Sequence, residues 1–167
     1  MSNRTLTAQK VFDEIKKCGV THIIWLAESE TKFMYEVMMD QTEITLVPVC
    51  REGEAIAIAM GLLLGGKKPV VLHQSTGFFE SGDSVRGLAI DLNLPVLMLL
   101  GYRGYKKNAP MTDTAAIYLK PVLDAWGIRH YMIETDEEVD RISVAYREAQ
   151  AISKPVAVLI GSEYTQK

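Results

Sequence analysis

The sequence predicts a three-layer α/β/α domain on a six-stranded, mainly parallel sheet. Extended and helical patterns alternate along the whole chain, six of each, as in folds whose parallel sheet is covered on both faces. Several extended segments are uninterrupted apolar runs, such as Val96-Leu97-Met98-Leu99-Leu100, as burial on both faces requires. The length of 167 residues suits one domain with one sizeable core, so residues 1–167 read as a single domain.

The elements follow in order. Leu6, Val11, Ile15 and Cys18 recur at helical spacing after Thr5, and Gly19 is a stop signal. His22 to Leu26 reads as a strand. Ser29 is placed to cap a second helix with the apolar stripe Phe33, Met34, Val37 and Met38. Ile44 to Val49 is the second strand, and a helix from Glu52 to Leu64 ends at Gly65-Gly66. Val70 to His73 is the third strand, with turn-rich Ser75-Thr76-Gly77 after it. A helix over Asp83–Leu92 leads to the fourth strand, Pro95 to Leu100, closed by Gly101. Residues 102–113 form a polar loop, long for a compact domain. A helix from Thr114 to Trp126, a strand from Arg129 to Ile133, a charged amphipathic helix over Asp136–Ile152 and a strand from Val156 to Ile160 complete the chain.

Composition narrows the function. Hydrophobic residues make up 48% and charged residues 23%, an ordinary globular balance. The formal net charge of −3 gives no support to nucleic-acid binding. No run approaches the ~18 apolar residues needed to span a bilayer, so no membrane role is expected. Met1-Ser2-Asn3-Arg4-Thr5 lacks the apolar core of a signal peptide, and a cytoplasmic location is expected. Cys18 and Cys50 suit a reducing compartment and read as small core residues.

In a doubly covered parallel sheet, ligands sit outside the carboxyl ends of the strands. The informative loops are therefore 26–30, 49–54, 73–82 and 101–113. They contain no Gly-rich phosphate loop ending in Gly-Lys-Ser/Thr and no dinucleotide fingerprint. Ser29, Ser75 and Ser81 lack the Gly-x-Ser-x-Gly frame of a nucleophile elbow. His22, His73 and His130 are far apart, and no metal site is expected. One segment stands out: Arg51-Glu52-Gly53-Glu54-Ala55-Ile56-Ala57-Ile58-Ala59-Met60-Gly61. Glu52 falls at a strand's carboxyl end and a helix's start, followed by small residues that permit close packing. By spacing alone, a carboxylate there reads first as complementing the helix dipole, and Glu54 fits that reading better.

This segment resembles the pyrimidine-binding domain of thiamine-diphosphate (TPP) dependent decarboxylases and synthases. That family places Glu before an Ala-rich helix with Gly nine positions later, as Glu52 and Gly61 stand here. Leu26-Ala27-Glu28-Ser29 is similar to a Val-Pro-Asp-Ser turn after the first strand. Gln74-Ser75-Thr76-Gly77 resembles a Gln-Asn-Ser-Gly loop after the third. Pro95 to Gly104, with Gly101-Tyr102-Arg103-Gly104, resembles a Pro-…-Gly-Trp-Arg-Gly stretch after the fourth. The ordered set is most similar to phosphonopyruvate decarboxylases and the alpha subunit of sulfopyruvate decarboxylase. Two positions depart from the pattern. Gly77 is followed by Phe78-Phe79-Glu80 rather than x-Gly-Asn, which puts anionic-substrate contacts there in doubt. His73 replaces a common Met.

The resemblance implies that Glu52 is the carboxylate that exchanges a proton with the cofactor's pyrimidine nitrogen. That role calls for a mostly buried site, where desolvation raises a carboxyl pKa. Glu28, Ser29, Gln74, Ser75 and Thr76 are candidate cofactor contacts. His73, Thr76 and Arg103 are candidate contacts to a small anionic 2-oxo acid. His73 is otherwise a hydrogen-bonded core histidine, and Arg103 a solvated loop arginine. The family's diphosphate and Mg²⁺ site begins with Gly-Asp-Gly; Gly82-Asp83-Ser84 is the nearest approach here. That site is therefore expected on a separate beta subunit, with the active site between chains and a hetero-oligomer as the working form. The implied reaction is decarboxylation of sulfopyruvate to sulfoacetaldehyde, or of phosphonopyruvate. Alternatives are a split carboligase of the acetolactate synthase type and a non-catalytic α/β binding or regulatory domain.

Overall fold

The computed structural model describes residues 6–161, so Met1 to Thr5 lie outside the described residues. The sheet contains β1 (His22–Trp25), β2 (Thr45–Pro48), β3 (Pro69–Gln74), β4 (Leu97–Gly101), β5 (Arg129–Ile133) and β6 (Val156–Ile160) in the order β2-β1-β3-β4-β6-β5. Every pairing is parallel, with Trp25 opposite Leu72 and Gln74 opposite Gly101. The helices are α1 (Ala8–Lys17), α2 (Tyr35–Met39), α3 (Glu52–Leu64), α4 (Ser75–Glu80), α5 (Gly82–Ser84), α6 (Thr114–Ala125) and α7 (Arg141–Ile152).

Alternation along the strands produces two cores. Ile23, Val70, Leu72, Leu97 and Leu99 pack with Val11 and Ile15 of α1 and Ile142 and Ala145 of α7. Ile24, Val71, Met98, Leu100 and Leu159 pack with Ile56 and Ala59 of α3 and Leu119 and Leu123 of α6. Each fully buried Val, Leu, Ile or Met side chain among them contributes roughly 1.5–3 kcal/mol of transfer free energy. The strands sandwiched between these layers are the continuous apolar runs of the sequence. α3 is apolar nearly all round and leaves Leu64 75% and Ile58 36% exposed. Among the described residues, no helix is long and apolar enough to cross a membrane.

Four local expectations are corrected. Ser29 does not cap the second helix. A 3-10 turn, Lys32–Met34, precedes α2, and the residue before it is Thr31. The buried Trp25 indole donates to the Thr31 hydroxyl at 3.0 Å, which binds this corner to β1 and leaves Ser29 exposed. Ser75-Thr76-Gly77 is not a turn but the start of α4, directly after β3. The helix expected over Asp83–Leu92 is α5 followed by a π-helical segment, Val85–Ile90. Over so few residues a 3.6 and a wider period are indistinguishable in an apolar pattern. The charged segment over Asp136–Ile152 also divides, into a 3-10 turn, Asp136–Glu138, and α7.

Candidate active site

The chain leaves β1 toward β2 on one side and later returns as β3 on the other. This reversal opens a crevice at the carboxyl ends of β1 and β3, where ligands bind in open α/β sheets. The loop after β1 brings Glu28 to it, and Gln74 and Ser75 enter from the junction of β3 and α4. α3 packs against β1 and β3 and carries Glu52 at its first position.

The centre of the site is a close approach. A Cβ on Gly77 would lie 2.6 Å from Glu52 Cγ, 3.0 Å from Glu52 Oε1 and 2.7 Å from His73 Nδ1. Glycine at this place lets α4 pass beneath the Glu52 side chain and beside the His73 ring. Glu52 is half-buried; His73 is fully buried. Glu80, one turn further along α4, points back to α3. It accepts a hydrogen bond from the Gly53 amide at 2.8 Å and pairs with Arg51. The Arg51 guanidinium holds its carboxyl below the usual range. The acid expected to disturb anionic contacts is thus engaged as a cap on α3.

Around this centre, buried polar groups lack partners. Among the described residues, both Glu28 carboxyl oxygens, both His73 ring nitrogens, Gln74 Oε1 and Ser75 Oγ are buried without a hydrogen bond. Each such group costs about 1–3 kcal/mol if left unmade. Their concentration in one crevice marks a place shaped for a polar ligand rather than for the fold's own stability. Burial pushes the Glu28 carboxyl up to about 8, assisted by the nearby Glu52 charge and partly offset by Gln74. Burial pushes His73 down to about 4. At neutral pH, Glu28 therefore holds its proton and His73 is uncharged.

Of the residues singled out from sequence, Glu28, Glu52, His73, Gln74 and Ser75 converge here. Thr76 is half-buried on the first turn of α4. Arg103 does not join them. Its Nε donates to Asp113 Oδ2 at 3.0 Å, and Asp113 also caps α6 by accepting from the Ala115 amide at 2.8 Å. A neighbouring residue, Glu30, is wedged against Gly101, where a Cβ would meet Glu30 Cβ at 2.6 Å. Burial raises its carboxyl pKa as well.

Sequence reasoning missed a second compartment. A cleft of about 460 Å³ opens beside Glu28 and Ser29, walled by Trp25 and Ala27 and by Lys32, Tyr35 and Glu36 of the next turns. The Trp25 and Tyr35 rings are tilted against each other with centroids 5.7 Å apart. The sequence carries the signal: Lys32, Tyr35 and Glu36 stand at helical spacing opposite the apolar stripe Phe33, Met34, Val37 and Met38.

Comparison with known proteins identifies the family and the fold. The family described as thiamine pyrophosphate enzyme, N-terminal TPP binding domain, matches residues 6–118. The chain is 27% identical to a protein named sulfopyruvate decarboxylase subunit alpha of Methanocaldococcus jannaschii, covering 92% of each chain. It is 26% identical to a protein of the same name from Methanococcus maripaludis, covering 94% of this chain and 95% of that one. Among solved structures, benzoylformate decarboxylase of Polynucleobacter necessarius superposes with a TM-score of 0.75 at 20% identity, covering 93% of this chain. A thiamin diphosphate-dependent enzyme of Mycobacterium smegmatis, described as putative, superposes with a TM-score of 0.67 at 20% identity, covering 95% of this chain. The chain spans about a third of the length of these two structures, 30% and 31%, and shares their fold. With the family's N-terminal domain matched over most of the chain, and its crevice at the expected switch point, this protein belongs to the thiamine pyrophosphate enzymes as their pyrimidine-binding domain.

Proposed function

We propose that this chain is the alpha subunit of a two-chain, TPP-dependent decarboxylase. Its substrate is a small anionic 2-oxo acid, first of all sulfopyruvate, with phosphonopyruvate as the second candidate. The observation that carries this reading is the set of partnerless buried polar atoms beside Glu52. They offer a carboxyl group, a neutral imidazole, an amide oxygen and a hydroxyl, which suit an aminopyrimidine and a polar substrate. The relatives named as alpha subunits support the substrate class and the division into two chains.

When bound, TPP supplies the electron sink that lets a 2-oxo acid release carbon dioxide. The protein orients that chemistry and manages its protons. Glu52 exchanges a proton with the pyrimidine ring nitrogen, and Gly77 leaves its side chain room to do so. Gln74, Ser75 and Thr76 hydrogen-bond the pyrimidine or the substrate, with Ser29 at the mouth. Glu28, protonated at neutral pH, is a proton donor toward the reacting end of the substrate. His73 stays neutral and offers one donor and one acceptor. Arg103, bound to Asp113, organises the loop after β4. A beta subunit contributes the diphosphate and Mg²⁺ site, so activity belongs to the hetero-oligomer.

The test is reconstitution. The isolated chain should release no carbon dioxide from sulfopyruvate, and adding the beta subunit should establish TPP-dependent release. Glu52→Gln should lower kcat by about a hundredfold or more, the upper part of the range for a lost acid–base group, without preventing assembly. Wild-type turnover in that variant would reject the role of Glu52. An acetolactate-type product from pyruvate alone would identify a carboligase. A complex without any TPP-dependent turnover would leave a binding domain.

A further inference from the structure

We propose that Lys32 selects for the anionic tail of the substrate: its ammonium group meets the sulfonate, phosphonate or second carboxylate inside the cleft that begins at Glu28. The inference rests on the decarboxylase reading above and adds the residue that sets its substrate class.

Glu28 belongs to both compartments. Its carboxyl oxygens lie among the partnerless polar atoms next to Glu52, and its side chain also lines the cleft. A 2-oxo acid with its reacting end at Glu28 can therefore extend its other end between Trp25, Tyr35 and Lys32. A sulfonate or phosphonate leaving water needs a counter-charge and directional donors. The arginines on neighbouring loops are already engaged, Arg51 by Glu80 and Arg103 by Asp113. Among the described residues, Lys32 has no carboxylate within ion-pair distance, although Glu36 lines the same cleft. Glu36 is exposed, so water screens its repulsion of an anion, and it remains a second acid for the tail to avoid. Glu28 adds no repulsion at neutral pH because burial keeps it protonated. The Tyr35 hydroxyl can supply a further donor beside the ammonium.

The experiment uses the reconstituted alpha–beta complex, with sulfopyruvate and with pyruvate, which lacks the tail. Lys32→Met should raise the KM for sulfopyruvate by about ten- to a hundredfold, the loss of one charge-assisted hydrogen bond. The preference for sulfopyruvate over pyruvate in kcat/KM should fall by a similar factor. Lys32→Arg should recover most of the preference, since the charge is kept. Lys32→Gln serves as a second neutral variant if the Met variant assembles poorly. An unchanged KM for sulfopyruvate, or equal losses for both substrates, would overturn the assignment while leaving the decarboxylase reading intact. A wild-type complex that releases carbon dioxide from no 2-oxo acid would instead overturn that reading, and this assignment with it.

Discussion

At Gly77 a single methyl group would strike two candidate site residues at once, Glu52 at 2.6 Å and His73 at 2.7 Å. Gly77→Ala should therefore displace the carboxylate even if the fold survives. Carbon dioxide release by the assembled enzyme should fall about tenfold or more, since a misplacement near 1 Å can cost about a hundredfold. Overpacking should lower stability by about 1–3 kcal/mol. Comparing kcat/KM with a urea melt separates the two effects, and an unaltered kcat/KM would show that Glu52 needs no such clearance. Glu52 itself was legible from its place before an Ala-rich helix. That Glu52 and His73 both lie against Gly77 was not, because β3 and α4 bring those residues under α3 only in the folded chain.

Helix α3 illustrates what one element borrows from another. Its own N-cap position is Arg51, whose side chain makes no capping bond to the helix. Glu80 of α4 supplies the missing acceptor to the Gly53 amide and adds a negative charge where the helix dipole favours one. Glu80→Ala should cost about 1 kcal/mol, as for a lost cap, readable by urea denaturation. A stability equal to wild type would mean the cap is replaced by water. The sequence marked Glu80 as an intruder in a substrate loop because its partner lies on a distant element. The loop after β4 behaves similarly. It is long for a compact domain, yet Lys107 pairs with Glu134 at 2.8 Å and the Tyr105 hydroxyl donates to Glu134 at 3.1 Å. Thr112 closes back onto the Gly104 carbonyl at 2.9 Å, with Gly104 at φ +79° where a side chain would strain.

For the molecule as a whole, the crevice sets a conflict between binding and stability. Glu28 has an ordinary carboxyl pKa of 4.5 when exposed and about 8 when folded. The fold thus holds a proton that the unfolded chain releases, and its contribution to stability is lost as pH rises from 4.5 through about 8. His73 acts in the opposite sense, from 6.5 to about 4, and removes stability as pH falls through that window. The effects oppose each other where the windows overlap. Between pH 6.5 and 8, Glu28 is the one of these two groups that acts, and its contribution should fall by about 2 kcal/mol there. Glu28→Gln should flatten that slope in urea titrations across the interval. Parallel curves for the two proteins would show that Glu28 ionises normally.

The alternation of apolar runs with amphipathic segments by itself determined the layered parallel fold, because burial on two faces leaves a one-dimensional trace in every strand. The order of short motifs likewise determined the family and pointed to Glu52, Glu28 and Gln74, since each follows a strand's carboxyl end. Tertiary structure alone decided that Glu80 caps α3, that Arg103 is bound to Asp113, and that Lys32 lines a cleft next to Glu28. Charge pairing and burial depend on distances between segments remote in sequence, and no local pattern encodes them.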